Sequence, residues 1–230
     1  MEHLRVKLTM VNLVIKLNKE MKIILYFVLI GVLLSCNAKK EMLVTNSISE
    51  NNNLTEIESN IINDFLDIEL KDDRYKSYKD YEIVIIEEAY KKFKPLYTYE
   101  YAYKDLYKHG KEIKNYWILD SLQIEKMKEN IKFENTFHWK ISDFKNIKVR
   151  LYKHEELRRI INSNEYINLP KRLIIYLSRP LIIDNNKALV SFDVGNGQLG
   201  FNSITHFTVL MNKEEEKWIK GGYYDDGIYY

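Results

Sequence analysis

The chain has 230 residues, 46% of them hydrophobic and 30% charged, with eight glycines, three prolines and one cysteine. That composition is globular. It excludes disordered and collagen-like designs, and a single cysteine excludes an internal disulfide. The formal charge of +2 sits at the front: residues 1–36 carry Arg5, Lys7, Lys16, Lys19 and Lys22 against Glu2 and Glu20, which leaves the remainder at −1. A body this close to neutral lacks the basic footprint of a nucleic-acid-binding protein.

Ile23–Leu34 is an uninterrupted apolar run of about 12 residues, where a membrane-spanning helix needs about 20. It has the length of the apolar segment of a secretory signal, about 7–15 residues. Lys22 supplies the positive flank when Met21 is the true start, and residues 1–20 are then an upstream extension. The run ends on Leu33-Leu34-Ser35-Cys36 and passes at once into polar sequence. This stretch resembles the lipobox of bacterial lipoproteins: leucine three before the cysteine, a small residue just before it, an apolar run upstream. The resemblance implies that residues 1–35 are a signal peptide and that Leu33, Leu34 and Ser35 are read by the signal peptidase. It also implies that Cys36 is the first mature residue, carries a diacylglyceryl group and is often acylated at its new amino terminus. A lipid-anchored place in the bacterial cell envelope is implied as well, with the membrane as a partner. Each buried methylene contributes about 0.8 kcal/mol and one chain holds only marginally, so two or more chains are needed for a stable anchor. Residues 37–53, polar and without periodicity, read as a flexible tether, and 54–230 as one domain.

In that domain Thr55-Glu56-Ile57-Glu58 has the pattern of a capping box, followed by Ile57, Ile61, Phe65 and Ile68 at helical spacing. Glu82–Phe93 is ambiguous: Ile83-Val84-Ile85-Ile86 favours a strand, Glu87–Phe93 a helix stopped by Pro95. Asp120 caps a predicted helix through Ile131. Thr136–Ile141 and Ile147–Tyr152 read as short strands, and His154–Asn162 as a helix with Leu157, Ile160 and Ile161 inward. From Arg172 the chain turns to strands. "RLIIYLS", "PLIID" and "ALVSFDV" are apolar and β-branched, with turn chemistry at Asp184–Lys187; "ITHFTVLM" and "KWIKGGYY" flank the charged turn Asn212–Lys217. Helices first and antiparallel strands last predict an α+β fold, with N-terminal helices packed on a mainly antiparallel C-terminal sheet. The closing rhythm of strand, glycine loop, strand, charged turn and Trp strand is similar to that of many small bacterial lipoproteins without an assigned activity. It is loosely similar to cone-shaped folds of the nuclear-transport-factor-2 type. Neither resemblance carries an activity motif.

The motifs that bear on chemistry are mostly eliminated by context. Gly195-Asn196-Gly197-Gln198-Leu199-Gly200 fits G-x-G-x-x-G, but a dinucleotide turn must open a helix and "FNSITHFTV" reads as a strand. His154-Glu155-Glu156-Leu157-Arg158 begins like a zinc motif and fails at Arg158. His138 and His206 fall within predicted strands and await a titrating partner. Asp225-Asp226 with Asp193 offers oxygen ligands but no calcium loop. No metal or cofactor is expected, nor is there an esterase elbow or P-loop.

The informative excess is tyrosine, 18 in all. Tyr97, Tyr99, Tyr101 and Tyr103 alternate strictly, so in a strand all four project from one face, suited to glycan or peptide contacts or to packing, whereas in a helix that face dissolves. They and His206 are the ligand-binding candidates. The expectation is a non-catalytic, lipid-anchored interaction module with a protein or glycan partner. The alternatives are an envelope hydrolase using carboxylates and a histidine, or an immunity or inhibitor protein.

Overall fold

The computed structural model describes residues 53–108, 117–163, 170–196 and 202–227. The signal peptide, Cys36 and the tether up to residue 52 lie outside the described residues. Helix α1 (Glu56–Glu69) begins as its sequence dictates. Thr55 Oγ1 accepts from the Glu58 amide at 3.2 Å, and Glu58 Oε2 accepts from the Thr55 amide at 3.0 Å. A 3₁₀ turn (Asp73–Tyr78) leads to strand β1 (Glu82–Ile86).

Helix α2 (Phe93–Lys108) corrects one expectation and decides another. Pro95 opens this helix instead of closing an earlier one. It stands in the first turn, where its missing N–H has no intrahelical acceptor to lose. The tyrosines at 97, 99, 101 and 103 are therefore on a helix, not a strand, and do not share one face. Leu96, Tyr99 and Tyr103 recur at spacings of three and four, and burying that stripe outweighs the period-two pattern of the tyrosines.

Helix α3 (Ser121–Ile131) starts at a reciprocal cap between Asp120 and Gln123. The expected strand at Thr136–Ile141 reduces to a bridge between Glu88 and His138, followed by a 3₁₀ turn at Ile141–Asp143. Strand β2 (Arg150–Tyr152) and helix α4 (His154–Asn162) come next.

The remaining strands are β3 (Arg172–Leu177), β4 (Leu181–Asp184), β5 (Lys187–Asn196), β6 (Asn202–Glu214) and β7 (Lys217–Tyr224). They form one seven-stranded sheet in the order β2-β1-β3-β5-β6-β7, with β4 also on β5. β1 lies parallel between β2 and β3; every other pairing is antiparallel. The fold is α+β, with helices N-terminal to a mainly antiparallel sheet. Pro180, which has no N–H for a ladder, lies in the break between β3 and β4, which run end to end along β5. Both expected hairpins are present. β4 and β5 join through Asn185-Asn186, and β6 and β7 through Glu215-Glu216, where Glu215 takes a φ of 54°. Asn196 pairs with Asn202, so the glycine motif spans an antiparallel connection and opens no helix; residues 197–201 lie outside the described residues.

The two faces of the sheet bury different partners. Leu173, Ile175, Leu177, Ala188, Val190, Phe192, Val194, Val209 and Met211 pack with Ile61, Ile62, Phe65 and Leu66 of α1. On the opposite face Leu189, Leu210 and Tyr224 meet Leu96 and Tyr99 of α2 and Ile124 of α3. Val84, Ile86 and Ile174 meet Leu157 of α4. Buried carboxylates fasten α1 at both ends. Glu58 accepts from Arg179 (2.8 and 3.0 Å) and faces Lys92 Nζ at 3.1 Å. Glu69 accepts from Arg74, Tyr75 and Lys220. Asp64 accepts from the Trp218 amide of edge strand β7 at 2.9 Å, occupying a donor that an open edge would leave free. Among the described residues no helix is long and apolar enough to cross a membrane.

Candidate functional site

Between the two apolar clusters on the second face runs a polar band, and strand register explains it. Side chains two apart along a strand share a face, and residues opposite each other across strands lie side by side. Leu189 pairs with Leu210; one step along, Ser191 pairs with Thr208; the next step pairs Asp193 with His206, and Tyr176 lies opposite Asp193 on its other side. The apolar row thus gives way to two polar rows before Ile174 restores an apolar one. The first polar row satisfies itself. Ser191 Oγ and Thr208 Oγ1 are 2.6 Å apart, and the Ser191 amide donates to Ser178 Oγ at 2.8 Å.

The second row, Tyr176–Asp193–His206, is the chemically loaded one. Asp193 is 7% exposed and accepts from Ser203 Oγ at 3.3 Å. Burial pushes its carboxyl above the ordinary 3.8, partly offset by Lys94, His206 and Ser203, while Asp226 adds to the rise. His206 Nε2 lies 3.2 Å from Asp226 Oδ1, just past the end of β7. Lys94, from the first turn of α2, faces this group. Burial lowers its ammonium below the ordinary 10.5 against the pull of Asp193 and Asp226. Its Nζ stands 4.0 Å from the centre of the Tyr90 ring, which stacks on Tyr176 at 5.5 Å. Tyr176 Oη meets His154 Nδ1 at 3.0 Å. A buried acid and a half-buried base, each displaced toward its neutral form, are what a proton-transfer or ligand-orienting site requires. The side chains of His206, Asp225 and Asp226 bring ligand atoms within 4.8 Å of one another, a donor set suited to a divalent cation.

α2 contributes a second surface beside the band. Its turn of 3.6 residues separates the four candidate tyrosines into two pairs. Tyr99 is fully buried: its Oη accepts from the Ile118 and Leu119 amides (2.9 and 2.8 Å) and donates to the Leu119 carbonyl (3.0 Å). Tyr103 stacks on Tyr99, and both meet the Trp117 ring edge-on. These two are packing residues. Tyr97 and Tyr101 point outward at 51% and 41% exposure, in line with Phe93 at 48%. Phe93 and Tyr97 stack at 6.1 Å, giving an aromatic stripe at i, i+4 and i+8. Next to it a groove of about 460 Å³ between α2 and α3 is lined by Tyr90, Phe93, Lys94, Lys128, Ile131 and Lys132, with Lys91 and Glu129 completing it. Lys94 belongs to both the groove and the polar band.

The other singled-out residues fall elsewhere. His138 is exposed and pairs with Glu87 at 3.2 Å, outside the band. His154 begins α4, with its amide on Glu88. Asp225 accepts from the Gly227 amide in a tight turn at the end of the described chain. Sequence reasoning found His206, Asp193 and Asp226 but missed Lys94, Tyr90, Tyr176 and Phe93. The one local hint was the parity of β5, where Ser191 and Asp193 take the side that Leu189 holds further along. Leu33, Leu34, Ser35 and Cys36 lie outside the described residues. Comparison with known proteins adds no relative: no family model, no curated protein and no solved structure matches the chain.

Proposed function

We propose that this chain is a lipid-anchored lipoprotein of a bacterial cell envelope, held through Cys36 and a tether, whose body is a non-catalytic interaction module. The observation that supports the binding role is the stripe Phe93–Tyr97–Tyr101. Three large aromatic residues in register on one helix face expose apolar area with polar tips, a composition suited to recognising a glycan or protein surface. The anchor rests on the lipobox resemblance at Leu33–Cys36. In the test, cells are fed an alkyne fatty acid and the protein is followed through membrane fractionation. The wild-type chain takes up label and sediments with membranes. Cys36→Ala takes up none and leaves the membrane fraction. Absence of label on the wild-type chain, or label retained by Cys36→Ala, refutes the anchor.

A second reading, an envelope hydrolase, is favoured by one observation: His206 within hydrogen-bond distance of Asp226 and directly opposite the buried Asp193. In that reading Asp193 donates a proton to the leaving group while His206 takes one from water. Asp193→Asn separates the two readings, since a hydrolase loses turnover and an interaction module keeps its ligand.

A further inference from the structure

We infer that Asp193, His206, Asp225 and Asp226 form a binding site for a divalent transition-metal ion of the zinc type, which fastens the chain after β7 to the middle of the sheet. The inference goes beyond the interaction-module reading and does not depend on it. Three elements converge. Asp193 stands on β5, His206 lies opposite it on β6, and Asp225-Asp226 directly follow β7. His206, Asp225 and Asp226 each present one ligand atom, all within 4.8 Å of one another. His206 Nε2 and Asp226 Oδ1 are 3.2 Å apart. That is close to one edge of a tetrahedral zinc site, where bonds of about 2.0–2.1 Å set adjacent ligand atoms about 3.3–3.4 Å apart. Asp225 gives one oxygen to the Gly227 amide at 2.8 Å and keeps the other for an ion.

The observation that points to a ligand is the state of Asp193. The other buried carboxylates each touch two cationic side chains: Glu58 meets Arg179 and Lys92, Glu69 meets Arg74 and Lys220, and Glu100 meets Lys104 and Lys128. Asp193 is 7% exposed and touches none. Among the described residues its one hydrogen bond comes from Ser203 Oγ to Oδ1 at 3.3 Å, and Oδ2 has no donor. A buried carboxylate has about four lone-pair sites to satisfy, and leaving them unmet is costly. Lys94 faces both Asp193 and Asp226, but its Nζ sits over the Tyr90 ring at 4.0 Å and forms a direct ion pair with neither. Asp193 is aimed at the cluster. It pairs in register with His206, which sets their Cβ atoms about 4.5–5.5 Å apart, and it feels the charges of His206 and Asp226. Three carboxylates against one ammonium leave negative charge that a dication cancels.

The donor set selects the ion. Imidazole nitrogen suits zinc, copper, iron and nickel, whereas calcium and magnesium take oxygen ligands. One nitrogen and three carboxylate oxygens complete a tetrahedral zinc shell, and a shell closed by protein ligands is structural in character. The ion ties β5, β6 and the segment after β7 together.

The test uses the full chain from residue 36 in detergent micelles, stripped of metal with a chelator and titrated calorimetrically with Zn(II). Ca(II) and Mg(II) are the controls. One Zn(II) should bind per chain, with the controls at least tenfold weaker, and the melting temperature should rise with Zn(II) concentration. Affinity should fall at least tenfold in each of Asp193→Asn, His206→Gln and Asp225→Asn. Asp225 is exposed, so metal-free Asp225→Asn should melt at the wild-type temperature, which separates loss of the site from loss of the fold. His138→Ala removes an exposed histidine outside the cluster and should leave binding unchanged. X-ray absorption of the loaded chain should show nitrogen and oxygen ligands with one imidazole. No binding of Zn(II), equal binding of Ca(II) or Mg(II), or undiminished affinity in His206→Gln and Asp225→Asn overturns the inference. Loss of binding in His138→Ala, or a sulfur ligand to the metal, overturns it as well.

Discussion

Removing Arg179 should cost this fold more than any surface substitution. Arg179 donates two hydrogen bonds to Glu58, 2.8 and 3.0 Å, and the Glu58 side chain is 1% exposed. Burial pushes that carboxyl up, but Arg179, Lys92 and the Thr55 amide together outweigh it and hold it below the ordinary 4.5. Breaking a buried pair on one side costs about 3–5 kcal/mol, because the remaining charge is left uncompensated. Lys92 stays at 3.1 Å, so Arg179→Ala belongs near the low end, about 3 kcal/mol, including lost packing of the guanidinium over Phe137. Urea unfolding should show a lower midpoint with an unchanged slope.

The pH dependence has a definite sign. In the wild type the folded carboxyl titrates below its unfolded value, so its stabilisation is present above 4.5 and fades as pH falls through the folded pKa. In the variant, burial is no longer outweighed and the group titrates higher when folded, so its penalty is greatest when charged and disappears on protonation. The gap between the two proteins should therefore be widest near neutrality and narrow in acid. The double variant Glu58→Leu/Arg179→Met should recover only part of the loss, because the Thr55 amide and Lys92 lose the carboxylate as well. A gap below about 1 kcal/mol at neutral pH, or one that does not change in acid, refutes the reasoning.

Tyr99→Phe should destabilise the protein by about 1–3 kcal/mol, since it leaves the buried Leu119 amide and the half-buried Ile118 amide without their acceptor; thermal melting measures it. Gly227→Ala should be strained, because φ is +74° and a Cβ there would overlap the Tyr101 hydroxyl; a lower melting temperature than wild type reads the strain. Asp193→Asn should lower the Lys94 ammonium further, since Asp193 now pulls it upward, and should raise the reactivity of Lys94 toward acylating reagents at neutral pH.

Local chemistry was legible where it acts locally. Thr55 and Glu58 announce the start of α1 because a capping box needs only four consecutive residues. The β4–β5 and β6–β7 hairpins were readable because both turns are short, polar and set between β-branched runs. The glycine motif could be dismissed on equally local grounds: the residues after it are strand formers, and the pairing of Asn196 with Asn202 bears that out. α2 is open to two readings in the sequence because it carries two periods at once. Tyrosine at every second position reads as a strand, while Leu96, Tyr99 and Tyr103 read as a helix, and only the cluster around Tyr224 and Trp117 decides between them. The polar band was largely invisible for a different reason. Lys94 and His206 are more than a hundred positions apart, and Tyr176, Asp193 and Asp226 reach the same place through strand register and the end of β7. No spacing rule joins them.

The central claim is that Cys36 is a lipid attachment point and the first residue of the mature protein. Mass spectrometry of the amino-terminal peptide from purified envelopes tests it most directly. The account predicts a peptide that begins at Cys36, carries a diacylglyceryl thioether and retains none of Leu33, Leu34 or Ser35. A peptide that runs through Leu33–Ser35 into an unmodified Cys36 contradicts it.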